Sequence, residues 1–376
     1  MIKQIAINIV LIAMKLLWIL PIDKTRITFI SFNGTQYSDS PKYIYEELIK
    51  KYTLKYSWIL PSNNNYSIPG DYEIINKGSL MEIIRLLTSK CIVTNNYLPT
   101  YIPIRKNQIV LNTWHGGGSF KRVGLMSCTV SEYDKWFFEV HKKKYSAFNC
   151  DSCVTEDLLL RKSFGFQGEV LRFGLPRNAV LLKPNNDIRN KVRDTLGVDG
   201  IVVLYAPTFR GTASKGGFIN DALALDTASV LSAVIKKYHK NGTILFRGHH
   251  TFKKSFSLNC INVSEYPDMQ ELLIASDILI TDYSSCMWDM AIAQKPVFIY
   301  TPDIEEYCIN PGFYQDITEL PFYVSKTNEE LVEAILQFNG IHYLEDLKKY
   351  FAKMGSYEKS DSAFKTCQWL LNQIGN

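Results

Sequence analysis

The residue types best suited to grip and transfer a phosphorylated group fall in five short clusters, each directly after an apolar run. Ile278 to Thr281 reads as a strand, Asp282-Tyr283-Ser284-Ser285 as a polar turn, and Cys286 to Ala293 as a helix, with Pro296 to Tyr300 returning as a strand. Two hydroxyls therefore stand where a strand hands over to a helix. A helix start offers unpaired N–H groups and the positive end of a dipole, which suits phosphate. Asp289 follows one turn after Ser285, on the same helix face. Its carboxylate suits ligand hydroxyls, although an aspartate there is also an ordinary response to the helix dipole.

A histidine heads three glycines in Thr113-Trp114-His115-Gly116-Gly117-Gly118-Ser119-Phe120-Lys121, after the strand Ile109 to Thr113. Glycines let a backbone approach a ligand closely, and successive N–H groups can form an anion nest. Histidine is the side chain best suited to proton transfer near neutral pH. Tyr205-Ala206-Pro207-Thr208-Phe209-Arg210 ends another strand with a hydroxyl and a guanidinium, whose planar fork matches phosphate oxygens. Arg247-Gly248-His249-His250 follows the strand Thr243 to Phe246. Adjacent histidines on an extended chain point opposite ways, so one faces a ligand and the other does not. A two-histidine metal site would need further ligands, which have no evident source. Gly174-Leu175-Pro176-Arg177-Asn178 closes the strand Glu169 to Phe173 and offers Arg177 either to a ligand or to solvent.

The elements that must position these clusters alternate regularly. Strands are expected at Arg26 to Phe32, Lys55 to Leu60, Cys91 to Thr94, Ile109 to Thr113, Phe148 to Thr155 and Glu169 to Phe173, with helices at Pro41 to Lys51 and Leu80 to Thr88. The polar run Leu182 to Asn186 reads as a linker. The alternation then restarts with strands at Ile201 to Ala206, Thr243 to Arg247, Ile261 to Val263 and Asp277 to Thr281. Helices are expected at Thr227 to Lys240, Met269 to Ala275, Asn328 to Phe338, Tyr343 to Lys353 and Asp361 to Gln373. This pattern predicts an α/β chain of two doubly wound, Rossmann-like domains facing a cleft, with ligands beyond the carboxyl ends of strands.

The 376 residues suit two such domains, and a hydrophobic content of 46% argues against long disordered tracts. A net charge of +5, without an arginine stripe or a recognition-helix motif, gives no reason to expect a nucleic-acid partner. Among eight cysteines, Cys150 and Cys153 form one C-x-x-C. A structural zinc site needs more ligands, so buried reduced cysteines on a strand are expected. Residues 1–22 are apolar apart from a few positions such as Asn8 and Lys15, and no small-residue cleavage site follows. Lys15 would sit deep in a spanning helix, so a helix lying in a membrane surface is expected; packing on the protein's own surface is the other reading. Lys3, Lys15, Lys24 and Arg26 are the basic residues for anionic headgroups. The run Lys135-Trp136-Phe137-Phe138 through Lys142-Lys143-Lys144 reads either as a second membrane contact or as an ordinary amphipathic helix.

With these motifs in order, the chain resembles the CDP-glycerol glycerophosphotransferase family of bacterial teichoic-acid and capsule polymerases and primases, over about residues 26 to 325. The family's TWHGT is similar to Thr113 to Gly117, its YAPTWR to Tyr205 to Arg210 with Phe209 for Trp, and its R-x-H-P to Arg247 to His250. Its TDYSS-x-x-x-D corresponds to Thr281 to Asp289, and its G-x-PRN-D to Gly174 to Asn178 with Ala179 in place of Asp. Departures are Gly117 and Gly118 for the usual Thr-Pro, and His250 for Pro. The resemblance implies a GT-B-like fold and a membrane-associated transferase; with the segment reading above, the expected organisation is an N-terminal membrane-associated helix (1–22), an acceptor domain (23–182), a donor domain (187–355) and a C-terminal helix (356–376) packing back on the first domain. The resemblance implies His115 as catalytic base and His249 as a catalytic phosphate-binding group. Donor contacts are implied at Arg177, Thr208, Arg210, Arg247, Ser284, Ser285 and Asp289, and the glycine-rich turn itself adds Trp114, Gly116, Gly117 and Gly118 as expected donor-binding residues. The implied reaction moves an alditol phosphate from CDP-glycerol, or CDP-ribitol, to a hydroxyl of a cell-surface polymer or its lipid-linked precursor. It would take place at the cytoplasmic face of the plasma membrane, with the enzyme bound peripherally. No cofactor or metal is required, since no paired carboxylate cluster for Mg²⁺ is evident. A GT-B glycosyltransferase using a nucleotide sugar and a non-catalytic scaffold of a polymer-export complex are the competing readings.

Overall fold

Arg26, which ends a charged run, is followed by Ile27-Thr28-Phe29-Ile30, all buried, and that run sits at the centre of a parallel sheet. Such a segment is the mark of a strand covered on both faces. The structure is a computed structural model that describes residues 2–63, 65–208, 225–248, 260–309 and 312–375. Phe209, Arg210, His249 and His250 lie outside the described residues.

The chain divides into two compact units, one of residues 1–116, 123–179 and 356–376 and one of residues 117–122 and 180–355. Residues 117–122, read above as part of the first domain, thus belong to the second unit. In the first unit the strands are β1 (Asp23–Ile30), β2 (Lys55–Leu60), β3 (Glu73–Asn76), β4 (Ser89–Thr94), β5 (Ile109–Asn112), β6 (Ala147–Asn149) and β7 (Glu169–Leu171). Its helices are α1 (Ile2–Met14), α2 (Asp39–Leu48), α3 (Leu80–Thr88), α4 (Glu132–His141) and the short α5 (Cys153–Thr155). The strand order is β3-β2-β1-β4-β5-β6-β7, with parallel pairing throughout. The winding reverses between β1 and β4, and in such sheets the crevice at that reversal takes the ligand.

The second unit holds α6 (Asn186–Leu196), β8 (Ile201–Ala206), α7 (Thr227–Tyr238), β9 (Gly242–Phe246), β10 (Ile261–Asn262), α8 (Met269–Ala275), β11 (Ile278–Thr281) and α9 (Cys286–Ile292). β12 (Val297–Tyr300), α10 (Ile304–Ile309), β13 (Tyr323–Ser325), α11 (Asn328–Gln337) and α12 (Gly340–Met354) complete it. Its order, β10-β9-β8-β11-β12-β13, is again parallel and reverses between β8 and β11. The chain then returns to the first unit as α13 (Ser362–Gly375), which packs against α2 through Cys367 and Leu370.

Several expectations on individual segments are corrected. The strand expected from Phe148 to Thr155 stops at Asn149, because the Ser152 hydroxyl accepts the Thr155 N–H and starts a helix that runs on as a π-helical stretch to Ser163. Cys150 is buried but Cys153 is exposed on that helix, so the two do not share a strand. The run at 135–144 is α4 closed by a buried end: Phe138, His141 and Lys144 are buried. The Lys144 ammonium donates to the carbonyls of Pro99, Thr100 and Ile102, and burial lowers its pKa to about 7. It is not available to a membrane. The stretch after Leu182, read as a linker, is followed at once by α6, whose Arg189 and Arg193 pair with Asp277 at 2.5 and 2.6 Å.

At the N-terminus, α1 leads into a 3-10 turn, Lys15–Ile19. The Arg105 guanidinium donates to the carbonyls of Leu20 and Leu17, and Leu17 packs on the core of the first unit. Ile9, Ile12, Leu16 and Ile19 remain 62–88% exposed. No described helix is long and apolar enough to cross a membrane.

Candidate active site

In the first unit the residues around the β1/β4 reversal converge on His115. Past β5, the Asn112 side chain accepts the Trp114 N–H at 2.8 Å, and Trp114 takes a positive φ of 52°. This turn brings the His115 Nδ1 to 2.8 Å from the carbonyl of Asn95, just beyond β4. A carbonyl only accepts, so Nδ1 carries the proton and Nε2 presents its lone pair. Asn95 is itself held: its side-chain oxygen accepts the Phe32 N–H at 2.8 Å, and its amide reaches Ser31 at the end of β1. The Trp114 and Phe32 rings lie 4.3 and 5.8 Å from the imidazole. Burial holds His115 below its ordinary pKa, and the Arg177 charge acts in the same direction; the Asn95 carbonyl and the Asp39 carboxylate oppose them. A neutral imidazole with Nε2 unprotonated is the form a general base requires.

Arg177, offered by sequence to a ligand or to solvent, is 2% exposed. Its guanidinium lies 3.2 Å from Asp39 and donates to the His115 carbonyl at 2.9 Å. Gly116 comes within 3.4 Å of the Trp114 indole nitrogen at the position a Cβ would take.

In the second unit, Gly117 and Gly118 are buried and run into a strip fastened to residues 312–315. There Arg122 N–H donates to the Gly312 carbonyl, Tyr314 N–H donates to the Phe120 carbonyl, and the Phe120 and Phe313 rings stack at 4.3 Å. Gly118 has φ +71°, and a Cβ on it would lie 2.1 Å from the Trp288 indole of α9. Trp288 is fixed in turn by a stack on Tyr350 at 5.1 Å. A proline cannot adopt that φ, so the proline of the resembled pattern would not fit this backbone. Gly118→Ala is expected to destabilise the chain by about 2–4 kcal/mol, from the left-handed backbone and the overpacked indole. Urea unfolding followed by tryptophan fluorescence measures this, and an unchanged midpoint would contradict the contact.

At the β8/β11 reversal, Asp282 is the organising residue, and the sequence reading gave it no role. Its carboxylate accepts the Thr208 N–H at 2.8 and 3.0 Å and the Tyr283 N–H at 2.6 Å, tying the end of β8 to the start of the serine turn. The Thr281 hydroxyl adds a bond to the Ala206 carbonyl at 2.7 Å. Ser284 and Ser285 are half-buried, and the Ser285 side chain makes no capping bond to α9. The Ser284 hydroxyl accepts the Cys286 N–H at 3.5 Å, a long bond to the first residue of the helix. Asp289 is not a surface aspartate: it is 3% exposed and accepts the Gln270 amide of α8 at 3.0 Å. Arg247 donates to the Tyr266 carbonyl at 2.7 Å, and burial pulls its pKa down from the usual arginine value. Thr208, Arg247 and the two serines thus gather at the carboxyl ends of β8, β9 and β11, while Arg210 and His249 lie outside the described residues. Asn95 and Asp39 were also missed; Asn95-Asn96 directly after an apolar strand, and Ser38-Asp39 ahead of a helix, were the available signals.

The family model for CDP-glycerol:poly(glycerophosphate) glycerophosphotransferase matches residues 12–372. The chain belongs to this family. Among its relatives, the teichoic acid poly(glycerol phosphate) polymerase of Bacillus spizizenii is 29% identical over 98% of each chain. The protein of the same name from Bacillus subtilis is 30% identical over 86% of this chain, which spans 45% of that longer relative. In structure, this glycerophosphotransferase-family chain is similar to a histidine variant of the wall teichoic acid polymerase TagF soaked with CDPG, at a TM-score of 0.82 and 26% identity, covering 94% of this chain and 90% of the other. The α/β architecture with parallel sheets thus matches that of the wall teichoic acid polymerase TagF.

Proposed function

We propose that the chain transfers glycerol phosphate from CDP-glycerol to a hydroxyl of a teichoic-acid-type polymer or its lipid-linked precursor, releasing CMP. The observation that carries this reading is the His115 imidazole, neutral and fixed through Nδ1 on Asn95 so that Nε2 can take a proton. In the proposed step, Nε2 accepts the proton of the acceptor hydroxyl as its oxygen attacks the phosphorus bearing the glycerol. The bond from that phosphorus to the bridging oxygen breaks, and CMP leaves with the electron pair. Arg247, Thr208, Ser284 and Ser285 are assigned to the pyrophosphate, together with Arg210 and His249; Trp114, Gly116, Gly117, Gly118 and Asp289 line or support the donor. Positioning and preorganised charge are the main sources of rate in such transfers. The reading assigns no cofactor. CDP-ribitol is the alternative donor.

The test is product analysis by mass spectrometry with CDP-glycerol, CDP-ribitol and a set of nucleotide sugars, each with lipid-linked and oligosaccharide acceptors. CMP release coupled to growth of the acceptor by one glycerol phosphate supports the reading. Transfer from a nucleotide sugar would replace it with glycosyl transfer, and no donor binding by calorimetry would leave a scaffold.

The exposed Ile9, Ile12, Leu16 and Ile19 support peripheral attachment through residues 1–22, with Lys15 and Lys24 beside anionic headgroups. Deleting these residues, so that the chain starts at Asp23, is expected to abolish flotation with anionic liposomes, whereas the full chain floats and is partly released by salt. Equal flotation of the two would remove the anchor from this account.

A further inference from the structure

The ion pair of Asp39 and Arg177 is buried beside His115 and has no role in the reaction as derived above. Asp39 opens α2 with a positive φ of 60°, a conformation uncommon outside glycine and held here by its surroundings. Its carboxylate oxygens lie 3.3 and 3.2 Å from one guanidinium nitrogen of Arg177, and the two residues are 6% and 2% exposed. The same nitrogen donates to the main-chain carbonyl of His115 at 2.9 Å. The Arg177 main-chain N–H donates to Ser40, the next residue of α2, at 3.3 Å. Three separate segments, the start of α2, the turn after β7 and the loop after β5, thus meet on one guanidinium. Removing either partner from a buried pair strands a charge, so the arrangement is costly to disturb and well suited to fix geometry.

We propose that Asp39 is a positioning residue for the catalytic base: it orients Arg177, which grips the His115 carbonyl and sets the imidazole at the angle in which Nδ1 meets Asn95 and Nε2 meets the acceptor. Arg177 then acts on the base rather than on the donor. The inference rests on His115 being the base. Asp39 and Arg177 are the charged groups acting on the imidazole among the described residues, and their effects oppose: the carboxylate favours imidazolium and the guanidinium disfavours it. The base works when neutral, so activity is lost as pH falls through its pKa. Removing the carboxylate therefore moves the acid limb of the rate profile to lower pH, and removing the guanidinium moves it to higher pH. Damage to the fold alone would not move the limb in opposite directions.

The experiment measures kcat and kcat/KM against pH, and CDP-glycerol affinity by calorimetry, for the full chain and for Asp39→Asn, Arg177→Gln and the double variant. The expected result is opposite shifts of the acid limb in the two single variants, a fall in kcat of ~10-fold or more, on the scale at which small misplacements act, and unchanged donor affinity. Weakened CDP-glycerol binding in Arg177→Gln with an unmoved limb would overturn the inference and make Arg177 a donor contact. Should a single variant fail to fold, the double variant decides, since it leaves no lone buried charge. A reduced kcat with donor affinity intact supports positioning, and an unchanged kcat overturns it. Failure of the base assignment itself is distinguishable: His115→Ala would then retain both its turnover and its acid limb.

Discussion

His115→Ala is expected to lower turnover of CDP-glycerol by ~10²–10⁴-fold, the usual contribution of a general base, while the chain stays folded and binds donor as before. The separation of effects follows from where the groups sit. His115 hangs on Asn95 and Arg177 within the first unit, whereas Thr208, Arg247, Ser284 and Ser285 belong to the second. The alanine variant removes a half-buried ring from between Trp114 and Phe32 but leaves no buried charge unpaired, because burial keeps the imidazole neutral. The pH profile gives a second handle. With the pKa held below its ordinary 6.5, the base is neutral at pH 7 and activity is lost only as pH falls through that lowered value. Steady-state rates from pH 5 upward, with circular dichroism and calorimetry on the variant, check all three parts. Near-normal turnover in His115→Ala, or an acid limb above 6.5, would remove the base assignment.

The residues that made this site legible in the sequence are those whose signal is local. His115 stood out because three glycines follow it at a strand end, and the serine turn because a strand gives way to a helix within four residues. The alternation of apolar strands with helices likewise exposed the central strands, β1, β2, β8 and β11, which are buried on both faces. What stayed hidden depends on partners distant in the chain. β3 is a short, half-exposed edge strand whose Glu73 pairs with Arg26 and Arg85, and nothing in Glu73–Asn76 itself announces it. Asn95 matters through a main-chain carbonyl, which carries no side-chain signature. Asp39 and Arg177 are separated by 138 positions, and an isolated arginine in a Gly-x-Pro-Arg turn looks the same whether it faces solvent or a buried carboxylate. Lys144 was misread for the same reason: a lysine after two other lysines suggests a charged face, and only the fold brings three carbonyls around it.

Asp282→Ala is expected to cost about 3 kcal/mol of stability and to weaken CDP-glycerol binding, whereas Asp282→Asn is expected to cost little in either. One carboxylate oxygen, Oδ1, receives the N–H groups of both Thr208 and Tyr283, at 2.8 and 2.6 Å. An asparagine oxygen in the same place can accept both bonds; alanine leaves two backbone donors without that acceptor, each costing ~1–3 kcal/mol when buried. The consequence for function comes from what those bonds join. The Thr208 N–H belongs to the turn that ends β8, and the Tyr283 N–H to the turn that carries Ser284 and Ser285, so Asp282 sets the spacing between two groups assigned to the pyrophosphate. Tyr283 extends the same bracing outward, stacking on Tyr307 at 3.9 Å and donating its hydroxyl to Asp303 at 3.1 Å. Stability and donor affinity should therefore fall together in Asp282→Ala and be preserved together in Asp282→Asn. Chemical denaturation and calorimetry with CDP-glycerol on the two variants measure the pair. An Asp282→Ala chain as stable as the parent, or an Asp282→Asn chain that loses donor binding while keeping its stability, would mean that the carboxylate is not acting as the brace between the two turns.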